Sequence, residues 1–293
     1  MLRILLLGKT GQWGWEAERA LAPLGEVIAL DYPDVDFTQP ETLRGLVDRV
    51  RPQVIYNVAA YTAVDRAERE TEKARLINAV APGVLAEAAQ AVRAVMIHTS
   101  TDFVFDGKKG SAYLEDDLPC PLNVYGQTKL DGEQAVSQVG GSYLTLRTSM
   151  VYSNRRDSFV GKVLQWSRQQ TTLKVVADQV GNPTWARMLA EISGQLLASS
   201  GPDLYDWIYA RRGIYHLAGD GCASRLAWAE AILRSDPHPD EQLVQQVLPA
   251  LTSDFPTPAT RPLFSALNCD KFTHTFNLRL PPWEQALRLA MQG

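Results

Sequence analysis

The 293-residue sequence contains few cysteines and histidines, and none of them form a cluster. Cys120, Cys222 and Cys269 are odd in number and widely separated, so they indicate neither a disulfide framework nor a cysteine-rich metal site. We therefore predict no bound metal. Because free cysteines are typical of reducing compartments, we expect a cytoplasmic protein.

Long apolar runs and basic runs are also missing. No apolar stretch reaches the roughly 20 residues of a membrane-spanning helix. The short apolar run at 4–8 is followed by glycines, which is unlike a secretory signal. The formal net charge is -4, without a stripe of basic and aromatic residues, and this argues against nucleic-acid binding. We expect a protein that binds neither membranes nor nucleic acids.

Apolar segments alternate with amphipathic segments over the first half of the chain. We predict strands at 4–8, 26–31, 53–60, 94–101 and 142–152, and helices at 14–25, 40–50, 70–91 and 124–139. This alternation is typical of βαβ units in a parallel sheet that is covered on both faces. It predicts an α/β fold, a Rossmann-type doubly wound sheet.

The pattern loosens after residue 150, and the segment 236–266 is rich in proline, which predicts loops with short elements. We therefore expect two domains. Residues 1–150 form an NAD(P)-binding Rossmann domain. Residues 151–293 form a smaller, irregular and mostly substrate-binding domain, with some segments that return to the Rossmann sheet.

Three glycines follow the first predicted strand with the spacing GxxGxxG, namely Gly8, Gly11 and Gly14. Glycines between a strand and a helix let backbone N–H groups approach a pyrophosphate at the positive end of the helix. The second strand then ends in Asp31, where a carboxylate can accept hydrogen bonds from an adenine ribose. This carboxylate favours NADH, although basic residues near the loop leave NADPH open. The next loop adds Asp36 and Phe37, which could lie against the adenine.

The fourth predicted strand ends in Thr101 and Asp102, at the sheet edge where doubly wound folds bind ligands. Tyr125 and Lys129 follow on a predicted helix, four residues apart and therefore on one face. Reduction of a carbonyl needs a hydride from the cofactor and a proton donor at the oxygen. We assign Tyr125 as that donor, Lys129 as the ammonium that lowers its pKa, and Thr101 as a hydrogen-bond partner of the carbonyl oxygen.

Several segments together resemble the dTDP-4-dehydrorhamnose reductases, which are extended short-chain dehydrogenase/reductases. They are GKTGQWGWE, NVAAYTAVDRAE, STDFVFDG, PLNVYGQTKLDGE, LRTSMVY and TPATRP. The resemblance runs from the first residue to the PPWEQAL near the end. It implies an oxidoreductase that uses NADPH or NADH to reduce the C4 ketone of dTDP-4-dehydro-L-rhamnose to dTDP-L-rhamnose, for bacterial surface polysaccharide such as O-antigen.

The resemblance also assigns site residues. The cofactor would contact Gly8, Gly11, Gln12, Trp13, Gly14, Asp31, Asp36, Phe37, Ala60, Tyr61, Thr62, Thr99, Tyr125 and Lys129. The sugar would contact Thr101, Asp102 and the residue at position 150. Arg261 in TPATRP could bind the pyrophosphate, because a guanidinium can do so with two parallel hydrogen bonds.

The sequence departs from the family pattern at two positions. Met150 stands where a tryptophan is common, and it lacks the indole N–H and the flat face. Some members join subunits through acidic residues around magnesium, and Glu16 matches one of these. Arg187, however, stands where another glutamate is expected, and a cation would not be attracted to it. We therefore expect a monomer or a homodimer without a bridging metal.

Two alternatives stay open at this point. One is an epimerase or dehydratase of another nucleotide sugar on the same fold, which would regenerate its bound cofactor. The other is a non-catalytic NADP-binding regulatory subunit, although the presence of Thr101, Tyr125 and Lys129 argues against it. Net consumption of reduced cofactor distinguishes the reductase from both.

Overall fold

The structure is a computed structural model that describes residues 1–155 and 157–292. Its strands are β1 (Leu2–Leu7), β2 (Gly25–Leu30), β3 (Val54–Asn57), β4 (Val95–Thr101), β5 (Tyr143–Thr148), β6 (Val151–Tyr152), β7 (Thr172–Val176), β8 (Val180–Gly181), β9 (Thr184–Trp185), β10 (Gly213–His216), β11 (Ala223–Ser224) and β12 (Gln246–Ala250). Its α-helices are α1 (Gln12–Leu21), α2 (Glu41–Val50), α3 (Val64–Ala67), α4 (Thr71–Arg75), α5 (Ala81–Ala91), α6 (Val124–Val139), α7 (Phe159–Ser167), α8 (Ala186–Ala198), α9 (Leu204–Tyr209), α10 (Arg225–Arg234), α11 (Asp270–Phe276) and α12 (Trp283–Met291).

The centre of the fold is a six-stranded sheet in the order β10-β5-β4-β3-β1-β2. Every neighbouring pair in it is parallel, which confirms the predicted doubly wound α/β class. The order of the strands reverses between β1 and β3. Ligands of such sheets bind beyond the carboxyl ends of the strands at this switch point, and the loops after β1, β3 and β4 therefore frame the site.

Strand β1 shows why both faces of the sheet must be covered. Ile4 and Leu6 belong to one core cluster and Leu5 and Leu7 to the other, and all four are fully buried. Successive side chains of a strand point to opposite faces, so an apolar run without polar alternation fits a strand between two layers of helices.

Three boundaries differ from the predicted ones by three residues or more. The predicted strand 53–60 already ends at Asn57. The predicted strand 142–152 is interrupted after Thr148, because Met150 adopts a left-handed backbone with φ 44°. The predicted helix 14–25 already ends at Leu21, and the tighter turn Ala22–Leu24, which contains Pro23, leads directly into β2. In contrast, the helix predicted over 124–139 matches α6.

A further core cluster surrounds the buried side chains of Trp228, Tyr152 and Trp283. Other segments after β6 return to the large sheet, because α8, α9 and α11 pack into the same core cluster as β1. The proline-rich segment contributes the short strand β12, which pairs with β7, as well as single turns. Strand β10 joins the edge of the large sheet beside β5. None of the helices within residues 1–155 and 157–292 is both long and apolar enough to cross a membrane.

Candidate active site

The glycine loop connects β1 to α1 at the switch point of the sheet. A Cβ on Gly8 would lie 2.7 Å from the backbone nitrogen of Ala59, and one on Gly14 would lie 2.0 Å from the carbonyl oxygen of Gly8. Only glycine therefore permits this close approach of the loop, the helix and the turn after β3. Gly11 caps α1 without a side-chain hydrogen bond, so the first N–H groups of the helix stay available to an anion.

A cleft of about 1130 Å³ extends from this loop along the carboxyl edge of the sheet. Ligand sites commonly enclose about 300 to 1,000 Å³, so this cleft has room for more than one small molecule. Its lining brings together most of the residues that the sequence nominates, namely Gly8, Gly11, Gln12, Trp13, Gly14, Asp31, Asp36, Phe37, Ala60, Thr62, Thr99, Thr101, Asp102, Tyr125, Lys129 and Met150.

Tyr61 and Arg261 are not among the lining residues of the cleft. The hydroxyl of Tyr61 donates a hydrogen bond to Glu70 at 2.9 Å, while its backbone stands between Ala60 and Thr62, which do line the cleft. The guanidinium of Arg261 forms an ion pair with Asp65 at 2.7 Å. Substrate binding by Arg261 stays a prediction. It would require the guanidinium to bind the diphosphate of the substrate in addition to the carboxylate of Asp65.

The acidic residues at the adenosine end are already hydrogen-bonded within the chain. The carboxylate of Asp31 accepts bonds from the backbone N–H of Thr10 at 2.9 Å and from its hydroxyl at 2.6 Å. Asp36 accepts equivalent bonds from Thr38 at 2.8 and 2.6 Å, and these bonds lower the pKa of Asp36. Both carboxylates are therefore fixed in position beside the cleft.

The cleft fits a dinucleotide cofactor by its polar atoms as well as by its size. Gln12 Oε1, Ser100 Oγ and Thr148 Oγ1 are buried and have no hydrogen-bond partner within the described part of the chain. All three residues line the cleft. Buried polar atoms without partners are costly, so a bound molecule with hydroxyl, amide or phosphate groups would satisfy them.

Tyr125 is a partly buried residue near the amino end of α6, with its ring edge-on to Phe103 at 5.7 Å between centroids. Burial raises the pKa of Tyr125 to about 12, and the neighbouring Thr101 hydroxyl offsets part of this rise. The sequence predicted the opposite direction, with Lys129 lowering the pKa of the phenol. Burial sets the direction of the shift instead, so the phenol keeps its proton throughout the neutral range.

Lys129 is almost completely buried and its Nζ donates a hydrogen bond to the carbonyl oxygen of Thr99 at 2.5 Å. Burial lowers the pKa of this amine to about 8, while the carboxylate of Glu133 raises it. The ammonium is thus held beside β4, one helical turn from Tyr125. Its protonation changes near neutral pH rather than far above it.

The end of β4 is fixed by a group of hydroxyls around Asp102. This buried carboxylate accepts hydrogen bonds from Ser149 at 3.0 Å, from Thr101 at 3.2 Å and from Ser265. Burial raises the pKa of Asp102 and the three hydroxyls lower it. Both carboxylate oxygens are therefore engaged within the chain, and contact of Asp102 with a sugar stays a prediction.

Met150 lines the cleft from the break between β5 and β6. Its methyl group is so close to Gly181 that a Cβ on this glycine would lie 2.9 Å from it. The side chain is thereby packed against β8 at the cleft wall. It offers an apolar surface without a hydrogen-bond donor.

Sequence reasoning missed a cation in the cleft, Arg225 at the start of α10. Its Nε donates to Gln179 Oε1 at 3.1 Å and its guanidinium lies 5.2 Å from the ring centroid of Phe159. Within residues 1–155 and 157–292 it forms no ion pair with a carboxylate. Burial lowers the pKa of this arginine. No local motif marks the position, because an arginine at a helix start is ordinary in sequence.

Glu16 and Arg187 are the two residues on which the expectation of no bridging metal depends. They lie on the facing helices α1 and α8. The guanidinium of Arg187 is 3.4 Å from the carboxylate of Glu16. A cation already neutralises this carboxylate within the chain. The described residues contain no group of three or more histidine, cysteine or acidic side chains that could hold a metal ion.

Comparison with known proteins agrees with this geometry. The family model described as the RmlD substrate binding domain matches residues 2–293. A dTDP-4-dehydrorhamnose reductase from Burkholderia thailandensis is 40% identical over 99% of this chain and 98% of its own length. This chain belongs to the dTDP-4-dehydrorhamnose reductase family.

Two further members of the family extend the comparison. A dTDP-4-dehydrorhamnose reductase from Escherichia coli is 41% identical over 98% of this chain and 96% of its own length. The crystal structure of a Bacillus anthracis dTDP-4-dehydrorhamnose reductase in complex with NADP superposes with a TM-score of 0.89, at 30% identity, over 99% of each chain. The resemblance inferred from the sequence segments is thus confirmed.

Proposed function

We propose that this protein reduces the C4 ketone of dTDP-4-dehydro-L-rhamnose to the alcohol of dTDP-L-rhamnose with NADPH or NADH. The observation that carries the proposal is the meeting of Thr101, Tyr125 and Lys129 at the end of β4, in the cleft that begins at the glycine loop. Relatives about 40% identical over nearly the whole chain are reductases of this sugar by name.

The dinucleotide would be held by the glycine loop and the start of α1 at its phosphates, by Asp31 at the ribose, and by Lys129 and Thr99 further along the cleft. When bound, it supplies the hydride that reduces the carbonyl carbon. The positioned acids and bases of the chain do the remaining chemistry. The acidic environment around Asp31 does not by itself separate NADH from NADPH, so both are proposed as cofactors.

Tyr125 is suited to hold the proton that the product oxygen receives. Its raised pKa of about 12 keeps the phenol protonated until negative charge develops on the carbonyl oxygen. The hydroxyl of Thr101, which donates to Asp102 in the structure, would turn to donate to that oxygen, and the ammonium of Lys129 would stabilise the phenolate that remains. The three groups thus divide proton donation, orientation and charge compensation among them.

The substrate end of the cleft needs a cation for the diphosphate. Arg225 is the candidate that the geometry favours, because it lines the cleft without a carboxylate partner in the described residues. Arg261 is the candidate that the sequence favours, and Asp65 already pairs with it. Asp102 and Met150 would border the sugar, and Met150 would do so by apolar contact alone.

The two parts of the chain would have different roles. Residues 1–150 would hold the cofactor and residues 151–293 mostly the substrate, with β10 as a segment that returns to the large sheet. We propose a cytoplasmic monomer or homodimer. Light scattering of the purified protein would contradict this assembly if it gave a larger oligomer.

The test is a turnover assay that follows the absorbance of NADPH or NADH in the presence of dTDP-4-dehydro-L-rhamnose. We expect one reduced cofactor to be consumed for each molecule of dTDP-L-rhamnose formed. Product without net consumption would favour an epimerase or a dehydratase. Cofactor binding without turnover of any nucleotide sugar would favour a regulatory subunit, and either result would reject the reductase.

A further inference from the structure

The proline-rich segment of the C-terminal half reaches the wall of the cleft. Residues 252–265, here called the strap, contribute Pro262 and Ser265 to the cleft lining. The three prolines of the strap have no N–H group to donate. Within the described part of the chain, residues 255–263 form neither a helix nor a strand. The position of this part of the strap therefore depends largely on side-chain contacts.

The strap contacts both elements that carry the predicted catalytic groups. The carbonyl oxygen of Thr260 accepts a 2.8 Å hydrogen bond from Nδ2 of Asn123, the residue whose side chain caps α6. The hydroxyl of Ser265 donates to Asp102 at the end of β4. The strap thus joins the start of the helix that carries the predicted proton donor to the end of the strand beside it.

A carboxylate of the N-terminal half holds the strap. Asp65 on α3 accepts hydrogen bonds from Nη1 and Nη2 of Arg261 at 3.1 and 2.7 Å, and from the backbone N–H of Ala259 at 3.3 Å. Nη1 of Arg261 also donates to the carbonyl oxygen of Ala259 at 3.1 Å and to the hydroxyl of Thr257. Neither Asp65 nor Arg261 lines the cleft. The pair therefore fixes both the shape of the strap and its place on α3.

The first residue of the strap supports the arginine that the geometry favours for the diphosphate. Thr252 donates to Asp178 from its N–H at 2.9 Å and from its hydroxyl at 2.7 Å. Its hydroxyl accepts a 3.1 Å bond from Nε2 of Gln179, and Oε1 of the same Gln179 accepts from Nε of Arg225 at 3.1 Å. A displaced strap should therefore disturb the diphosphate end of the cleft as well as the sugar end.

We propose that Asp65 is a positioning residue for the sugar substrate. Its ion pair with Arg261 fastens the strap to α3, and the strap in turn keeps the substrate end of the cleft in the shape that binds the dTDP-sugar. The inference rests on the proposed function, which places the sugar next to Asp102. It gives Arg261 a role that requires no contact with the diphosphate.

The exposure of the pair indicates a local role and not one in overall stability. Of the two side chains, 19% of Arg261 and 38% of Asp65 are exposed. Ion pairs with this exposure contribute little to the free energy of unfolding. Loss of the pair should therefore loosen the strap while the protein stays folded.

The two possible roles of Arg261 give opposite expectations for Asp65→Asn. Where Arg261 fastens the strap, loss of the carboxylate loosens the strap and raises KM for the dTDP-sugar. Where Arg261 instead binds the diphosphate, the same substitution releases the guanidinium from a competing anion and lowers KM. The sign of the change in KM thus separates the two roles.

The experiment is a double-mutant cycle of Asp65→Asn, Arg261→Met and the variant with both substitutions. We expect each of the three to raise KM for dTDP-4-dehydro-L-rhamnose about threefold, as for the loss of one partly exposed ion pair. The two losses should not add, because either substitution removes the same link. Arg261→Lys keeps the positive charge but not the planar fork, so its KM should lie between those of Arg261→Met and the unmutated protein.

Two measurements without turnover accompany the kinetics. Calorimetric titration with dTDP should give a Kd about threefold higher in Asp65→Asn and Arg261→Met, whereas NADPH, whose predicted contacts do not include the strap, should bind as before. Hydrogen–deuterium exchange at the N–H of Ala259 should become faster in both variants. Arg44→Met and Glu87→Gln are matched controls, because they break a 2.6 Å ion pair between α2 and α5, and they should change none of these values.

The outcomes separate the inference from the proposed function. An unchanged or lower KM for the sugar, or an unchanged or lower Kd for dTDP, in Asp65→Asn would overturn the inference. Additive losses in the double variant would also contradict it. Absence of turnover in the unmutated protein would instead reject the proposed function, and the dTDP titrations and exchange rates would then still decide the role of Asp65.

Discussion

The Nζ of Lys129 and the carbonyl oxygen of Thr99 are joined by a 2.5 Å hydrogen bond that ties α6 to the end of β4. Thr99 precedes Thr101 by two residues, so the same bond fixes the distance between the strand that carries Thr101 and the helix that carries Tyr125. The amine is thus a structural link as well as a charge. Its protonation state should therefore affect both the geometry and the chemistry of the site.

The first prediction concerns the pH dependence of reduction. Burial lowers the pKa of Lys129 to about 8, so its charge is present below that pH and is lost above it. Tyr125 keeps its proton to about pH 12 and does not limit activity earlier. We expect kcat/KM to fall as the pH rises through about 8, with Lys129 as the titrating group. A rate that stays constant up to about pH 10, the usual pKa of lysine, would contradict this assignment.

The second prediction concerns Thr101. Its hydroxyl donates to Asp102 and accepts from the N–H of Phe103, both at 3.2 Å. Thr101→Val removes the hydroxyl while keeping the shape, and we expect kcat to fall about 100-fold, as for the loss of one donor to a developing oxyanion. Thr101→Ser keeps the hydroxyl and should retain most of the activity. Equal losses in the two variants would mean that packing, not the hydroxyl, matters here.

The third prediction compares two arginines. Arg225→Met should raise KM for the dTDP-sugar about 10-fold or more, with a smaller effect on kcat, because a charge-assisted hydrogen bond to the diphosphate is lost. Arg261→Met should raise KM less, since its guanidinium is already bound to Asp65. Steady-state kinetics of both variants give the answer. A larger effect of Arg261→Met would restore the assignment that the sequence favours.

The fourth prediction concerns stability at the glycine loop. A Cβ on Gly14 would lie 2.0 Å from the carbonyl oxygen of Gly8, so Gly14→Ala forces the loop apart and should cost about 2 kcal/mol or more. Gly45→Ala in α2 meets only the end of Arg49 at 3.5 Å. It should stabilise the protein by about 0.5 to 1 kcal/mol, because alanine is the better helix former. Urea unfolding measures both changes, and a Gly14→Ala variant as stable as the parent would refute the close approach.

The central features of the site could be predicted from sequence because they depend on the spacing of residues that are close together along the chain. Gly8, Gly11 and Gly14 come directly after an apolar strand, and Tyr125 and Lys129 are separated by one helical turn. The helix itself was predictable, because Asn123 caps it with its side chain and Gly140 ends it. Strands of a parallel sheet present their carboxyl ends at one edge, which brings Thr101 to the same place.

The remaining features depend on contacts between distant parts of the chain. Asp102 is joined to Ser265, and Arg261 to Asp65, across more than 160 residues in each case. No local pattern encodes such pairs. The direction of the pKa shift of Tyr125 was wrong for a related reason. The effect of a neighbouring ammonium can be inferred from spacing, whereas the extent of burial requires the assembled cleft.

Single turnover by Tyr125→Phe tests the central claim most directly. The substitution removes only the phenolic hydroxyl, so NADPH should still bind, as measured by the quenching of tryptophan fluorescence. With dTDP-4-dehydro-L-rhamnose in excess, we expect dTDP-L-rhamnose to form at least about 100-fold more slowly than in the unmutated protein, as for the loss of a general acid. Formation of dTDP-L-rhamnose at the rate of the unmutated protein would contradict the assignment of Tyr125 as the proton donor.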